Sequence, residues 1–133
     1  MRRLAVAASL AAIAAALADV AVYSISRARG VSMVMPYQWG QPPAVLPIPV
    51  IVGADLFAAV LAAVVFWLLV RFTPNGARLF QIASVPVLLL TFAAPLSLAQ
   101  TDGSTKATLV AMHVVAAAAI VAGLSLLARP THN

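Results

Sequence analysis

Ile48-Pro-Val-Ile-Val-Gly-Ala-Asp55-Leu-Phe-Ala-Ala-Val-Leu-Ala-Ala-Val-Val-Phe-Trp67-Leu-Leu-Val70 carries one ionisable side chain in a run that is otherwise apolar. A helix of this length, rising about 1.5 Å per residue, crosses a hydrocarbon core of roughly 30 Å. A strand does not fit, because barrel strands alternate apolar and polar positions and this run is apolar on every side. A helix also satisfies its backbone internally, as lipid requires.

Outward from this stretch, positions 4–25, 79–98 and 107–128 read the same way. The expectation is an all-α integral membrane bundle of four transmembrane helices, 4–25, 48–70, 79–98 and 107–128, forming one domain over residues 1–133. Composition agrees: 64% of residues are hydrophobic and 8% charged, and the mean hydropathy is +1.06. Too few polar residues exist to cover a water-soluble surface. The net charge of +5 does not indicate nucleic-acid binding, since the basic residues stand singly or in pairs between apolar runs. There is no cysteine, which excludes disulfides, thiolate metal sites and cysteine nucleophiles.

Arg2, Arg3, Arg71, Arg78 and Arg129 fall on one side of the expected bundle, and Arg27, Arg29 and Lys106 on the other. This bias favours both termini in the cytoplasm. Arg2 and Arg3, an apolar run, and Ala16 and Ala18 before Asp19 also resemble a secretory signal with its cleavage site. The apolar run continues through Val20, Val22 and Ile25, so an uncleaved helix fits better.

The connection 26–47 is the long one, and Pro36, Pro42, Pro43 and Pro47 deny it a regular helix. Tyr37, Trp39 and Tyr23 are expected at the extracytoplasmic headgroup level, with Trp67, Phe72 and Phe80 as their cytoplasmic counterparts. Thr73 to Gly76 and Thr101 to Thr105 are expected as tight turns. Pro86 and Pro95 in the third span have no counterpart in the first, so no inverted repeat is read.

Asp19, Asp55 and His113 lie inside the expected spans, six, seven and six residues from the outer ends, hence roughly 9 to 11 Å deep. Such groups are costly in lipid and face the bundle interior, so one polar layer in the outer leaflet is expected. Thr91 reaches the same level. Pro95 cannot donate to the Thr91 carbonyl, and the His113 ring N–H is a plausible donor for it. Small residues flank each group: Ala11 and Ala15 before Asp19, Ala58, Ala59 and Ala62 after Asp55, and Ala116 and Ala117 after His113. These faces are expected to pack against other helices.

The polar intramembrane cluster Asp19, Asp55, Thr91 and His113 admits several roles. It can be a hydrogen-bonded clip fixing helix register, a proton or cation pathway, a divalent-metal site without a sequence motif, or a ligand site. Haem ligation lacks a second intramembrane histidine, Met112 pointing about 100° from His113. Ser84 and Ser97 have no triad partners. Gln81 reads as an interfacial hydrogen bonder, His132 as part of a solvated tail, and Ala119 with Gly123 as a packing pair within the bundle or between subunits.

The stretch Pro95-Leu-Ser-Leu-Ala-Gln-Thr-Asp-Gly-Ser-Thr-Lys-Ala-Thr-Leu-Val-Ala-Met-His113-Val-Val-Ala-Ala resembles the small bacterial four-helix membrane proteins grouped as domain of unknown function 6069. Arg29-Gly30-Val31 and the arginine-flanked turn between the middle helices are also similar to that family. The resemblance implies a four-helix architecture and draws attention to His113. It implies no activity, and Asp19 and Asp55 match no motif of the family.

No catalytic constellation is legible, so the expectation is a non-enzymatic accessory or helix-packing protein without a cofactor. The alternative is a small proton- or cation-coupled carrier. Its partners would be the lipid bilayer and a larger membrane complex or a second copy, not nucleic acid, in the cytoplasmic membrane of a bacterium.

Overall fold

A computed structural model describes residues 2–38 and 40–128. Trp39, Arg129 and His132 lie outside the described residues. The elements are α1 (Arg2–Ala28), β1 (Val34–Met35), β2 (Ala44–Val45), α2 (Ile48–Phe72), α3 (Gly76–Thr91), α4 (Ala93–Leu96) and α5 (Gly103–Leu127). The helices α1, α2 and α5, and the stretch Gly76–Leu96 made of α3 and α4, are each long and apolar enough to cross a membrane. The protein is an all-α, multi-pass membrane protein with four spanning helices.

Local chemistry sets the helix ends. Pro47 and Pro49 open α2, where a missing N–H breaks no intrahelical bond. The third span is expected over 79–98, with the Thr91 carbonyl left without the Pro95 N–H. It begins instead at Gly76 and breaks at Phe92, whose N–H turns back to the Leu89 carbonyl at 3.2 Å. Pro95 has no N–H for the Thr91 carbonyl, so the chain resumes only as the short α4. The last span starts at Gly103, four residues before the expected 107, because the Asp102 side chain caps it by accepting from the Thr105 N–H at 2.8 Å. In the 26–47 connection the prolines leave room for a two-residue ladder, Val34 opposite Val45 and Met35 opposite Ala44, antiparallel.

Helix α1 packs against α2 and α5, and α3 packs against the same two helices. The 73–75 and 97–102 connections are short and make the spans they join antiparallel, and Tyr23 near the end of α1 bonding to Leu46 just before α2 runs that pair antiparallel as well. One end therefore gathers the start of α1, the 73–75 turn and the end of α5, and the other carries the hairpin and the 97–102 connection. These are called the turn end and the hairpin end.

Packing inverts the usual size rule. Ala7, Ala11, Ala12 and Ala15 are buried on α1, while Val6, Leu10, Ile13 and Leu17 are exposed. Small residues inside let backbones approach, and large ones outside face hydrocarbon. The buried rows run at four-residue steps: 7, 11, 15, 19 and 23 on α1, then 51, 55 and 59 on α2. Such i, i+4 rows are the ridges by which helices interdigitate. On α2 it is Ala59 that is buried, whereas Ala58 is exposed. On α5 the buried row is Leu109, Met112, Ala116, Ile120 and Leu124. Met112 thus takes the central position expected for His113, which stands half-buried beside it with Ala117.

Two aromatic residues, Phe80 and Tyr23, depart from expectation. Phe80 is buried, its ring edge-on to Phe66 with centroids 5.2 Å apart, because α3 docks on α2 through this pair. Tyr23 is buried rather than interfacial, its hydroxyl donating to the Leu46 carbonyl at 2.9 Å. Phe72 is exposed at the turn end.

Gly123 lies where α5 meets α1. A Cβ there would stand 2.7 Å from the Ala11 Cβ and 3.2 Å from its Cα, so the Ala119 and Gly123 pair serves the α1–α5 seam. Gly123→Leu is expected to destabilise the bundle by about 1–3 kcal/mol through overpacking. Ala118→Leu, on the exposed face of the same helix, is expected to be neutral. Thermal unfolding in detergent compares them, and equal midpoints would remove the seam.

Candidate functional site

The interior is apolar in two blocks. Toward the hairpin end, Tyr23, Met33, Leu46, Ile51, Leu109 and Met112 form one cluster. Toward the turn end, Ala7, Ala12, Ala15, Ala59, Phe66, Phe80, Ala116, Ile120 and Leu124 form another. Asp19 falls between Ala15 and Tyr23 on α1, Asp55 between Ile51 and Ala59 on α2, and His113 between Met112 and Ala116 on α5. The polar layer is the boundary between the two cores.

Asp19 and Asp55 are 4% and 5% exposed, and their carboxyl groups are within side-chain hydrogen-bonding reach of each other. A hydrogen bond between two carboxyls requires a proton on one of them. His113 lies within electrostatic reach of Asp55. Asp19 Oδ1 and Asp55 Oδ2 are buried without a hydrogen-bond partner among the described residues, an arrangement held against a real desolvation cost.

His113 Nδ1 lies 2.7 Å from the Leu109 carbonyl. A carbonyl only accepts, so Nδ1 carries the proton of this contact. The ring N–H therefore goes to its own helix, not to Thr91. Thr91 is placed apart from the carboxyl pair: its side chain is exposed and its hydroxyl bonds back to the Leu88 carbonyl at 2.6 Å. Thr91 lies on nearly the same face as Phe80, eleven residues further on, but α3 is buried only at Gly76 and Phe80 near its start, so at Thr91 that face no longer packs on the bundle. Among the described residues, no group of three or more His, Cys, Asp or Glu side chains is placed to hold a metal ion.

A second polar group, unread in the sequence, closes the hairpin end. Asp102 accepts from the Ser32 hydroxyl at 2.5 Å, from the Thr105 N–H and hydroxyl at 2.8 Å each, and from the Ser104 hydroxyl. The Thr105 hydroxyl accepts the Met33 N–H at 3.1 Å. The hydroxyl donors, Ser104 first, and the Thr105 N–H hold the Asp102 carboxyl well below its ordinary range. Met33 has φ 51°, an uncommon backbone for a residue with a side chain. It is held there by Thr105 and by the Leu46 N–H donating to its carbonyl at 2.9 Å, with its side chain fully buried. Arg27 Nη1 donates to the Ser32 carbonyl at 2.7 Å, and Lys106 Nζ to the Leu96 carbonyl at 3.2 Å. The arrangement clamps the 26–47 connection onto the start of α5. Asp102-Gly-Ser-Thr105 has the N-cap pattern that reveals half of it. Ser32 and Met33 carry no such signal.

The family model described as "Family of unknown function (DUF6069)" matches residues 1–130. No curated protein and no solved structure matches the chain.

Proposed function

Because the chain belongs to the DUF6069 family of unknown function and has four helices apolar enough to cross a membrane, we propose that it is a non-enzymatic membrane subunit. It packs against a larger membrane assembly or a second copy of itself. The observation that carries this reading is the exposure of its third span, where only Gly76, Phe80 and Pro95 are buried. Ile82, Val85, Val87, Leu89 and Leu90 all face outward, leaving a helix with far more surface to offer than it uses within its own bundle. In this reading Asp19 and Asp55 form a clip that fixes α1 against α2 in one register. Gentle detergent extraction followed by native mass measurement tests it. A retained polypeptide mass, foreign or a second copy, supports the subunit reading, and a bare chain with lipid alone at every detergent level removes it.

A second reading, a proton- or cation-coupled carrier, is favoured by the buried unpartnered oxygens Asp19 Oδ1 and Asp55 Oδ2 beside a half-buried histidine. Reconstituted into liposomes, a carrier would show flux that Asp19→Asn or Asp55→Asn abolishes with the helical content kept. A clip would show no flux and coupled stabilities, the double variant departing from additivity by about 0.5–3 kcal/mol.

The membrane proposed is the bacterial cytoplasmic membrane, with both termini in the cytoplasm, on the strength of the basic bias toward the turn end. Gln38, Asn75 and Gly103 suit single cysteines: Gln38 and Asn75 are exposed, and nothing lies within 4 Å of a Cβ at Gly103. An impermeant thiol reagent on intact cells is expected to label Gln38→Cys and Gly103→Cys, and Asn75→Cys only once the membrane is opened. Labelling of Asn75→Cys alone in intact cells would invert the topology.

A further inference from the structure

We infer that the cavity between the end of α2 and the start of α3 binds the phosphate of an anionic phospholipid headgroup, through Arg71 and Arg78. The cavity has a volume of about 870 Å³ and is bordered by both arginines with Thr73, Asn75 and Gln81. Arg71 and Arg78 are exposed, and neither makes an ion pair among the described residues. The guanidinium of Arg71 stands 6.0 Å from the Phe72 ring centroid, a contact that orients it without neutralising it.

Charge balance makes the site pointed. The sequence has three acidic side chains, Asp19, Asp55 and Asp102, and all of them sit toward the hairpin end. Asp55 is seventeen residues from Phe72 on α2, and Asp19 seventeen from Arg2 on α1, a separation of about 25 Å along each helix. Asp102 caps α5 at the far end. Arg71 and Arg78 thus have no acidic side chain within reach among the described residues, and a phosphate would supply the counter-charge that they lack. Guanidinium groups present paired N–H donors that match phosphate oxygens. Asn75 and Gln81 add neutral donors.

A lipid rather than a dissolved phosphate is indicated by what lies beside the cavity. Phe72, Leu79 and Ile82 are exposed at 72%, 42% and 60% on the same two helices, so apolar surface continues from the arginines along the bundle. A headgroup in the cavity would lay its acyl chains on that surface, and a free anion would gain nothing from it. Basic pockets at the ends of transmembrane helices are suited to anionic headgroups for this reason.

The test uses the full chain in an uncharged detergent, with phosphatidylglycerol, phosphatidylcholine or inorganic phosphate added at equal concentration. Thermal midpoint and lipid retained in native mass spectra are the readouts. Phosphatidylglycerol is expected to be retained and to raise the midpoint, and phosphatidylcholine and inorganic phosphate are not. Arg71→Gln/Arg78→Gln should weaken retention about tenfold, while Arg29→Gln, an exposed arginine at the hairpin end, should leave it unchanged. Circular dichroism checks that the double variant folds. Should it not, Arg71→Lys/Arg78→Lys keeps the charge but loses the paired donors, and is expected to retain less phosphatidylglycerol than wild type. Indistinguishable retention of the two lipids, undiminished retention in both double variants, or an equal effect of inorganic phosphate would each overturn the assignment.

Discussion

Gly76→Ala is expected to destabilise the protein by about 3 kcal/mol, the upper end of what overpacking costs. A Cβ at Gly76 would press directly on the carbonyl carbon and oxygen of Leu69 and on the Val70 nitrogen. All three are backbone atoms of α2, so no side chain can rotate away. Relief would require the start of α3 to move off the end of α2, which would also pull Phe80 from Phe66. Gly53 provides the contrast. It sits inside α2 with nothing within 4 Å of an added Cβ, so Gly53→Ala should be neutral or gain about 0.5–1 kcal/mol from helix propensity. Thermal unfolding in detergent would show the two glycines moving in opposite directions. A Gly76→Ala midpoint at or above that of Gly53→Ala would refute the close approach.

Thr105→Val should cost about 1–3 kcal/mol and loosen the hairpin end before the rest of the bundle. The substitution keeps the shape of a fully buried side chain but removes the hydroxyl that accepts the Met33 N–H and donates to Asp102. A buried N–H left without a partner carries the desolvation penalty in full, and Met33 loses one of the two bonds that hold its positive φ. Hydrogen exchange should quicken in the 31–46 segment and change little in α1 and α2. The same clamp has a pH signature. The Asp102 carboxyl titrates lower in the folded protein than its ordinary value of 3.8, so its contribution is complete above that value and is lost progressively as the pH falls below it. Asp102→Asn should lack this acid step. Uniform exchange across the molecule in Thr105→Val, or an unchanged acid step in Asp102→Asn, would contradict the clamp.

The four spans were legible because length and apolar character alone distinguish them. Which face of each span turns inward was legible only where a polar group marked it. Asp19 announces Ala11 and Ala15 at four-residue steps, and Asp55 announces Ala59, although Ala58, read with it, faces outward. On α5 the signal failed, because His113 drew attention to a position half a face away from the buried row through Met112. When lipid and core are both apolar, hydrophobicity stops telling inside from outside, and residue size takes over. Thr91 was misplaced for another reason. Depth and facing follow from counting residues along a helix, but the point at which a helix stops packing on its neighbours does not. The clamp was hidden because Ser32 and Asp102 are seventy residues apart and neither belongs to a periodic segment. Tyr23 and Phe80 were read as interfacial by residue type, whereas a carbonyl of β2's flank and the ring of Phe66 draw them into the interior.

The seam between α1 and α5 also bears on how the chain is made. Ribosomes release α1 before α5, so the alanine face of α1 meets its main neighbour only after the two intervening spans have been made. Asp19 reaches the bilayer ahead of Asp55, and until α2 follows it is a lone acid in lipid or in the insertion machinery. Once α2 arrives the two carboxyls meet, but Ala11 still waits for Gly123. Nascent chains arrested within the 97–102 connection should therefore be cleared by membrane proteases faster than chains that include α5, because α5 closes the bundle that α1 opened.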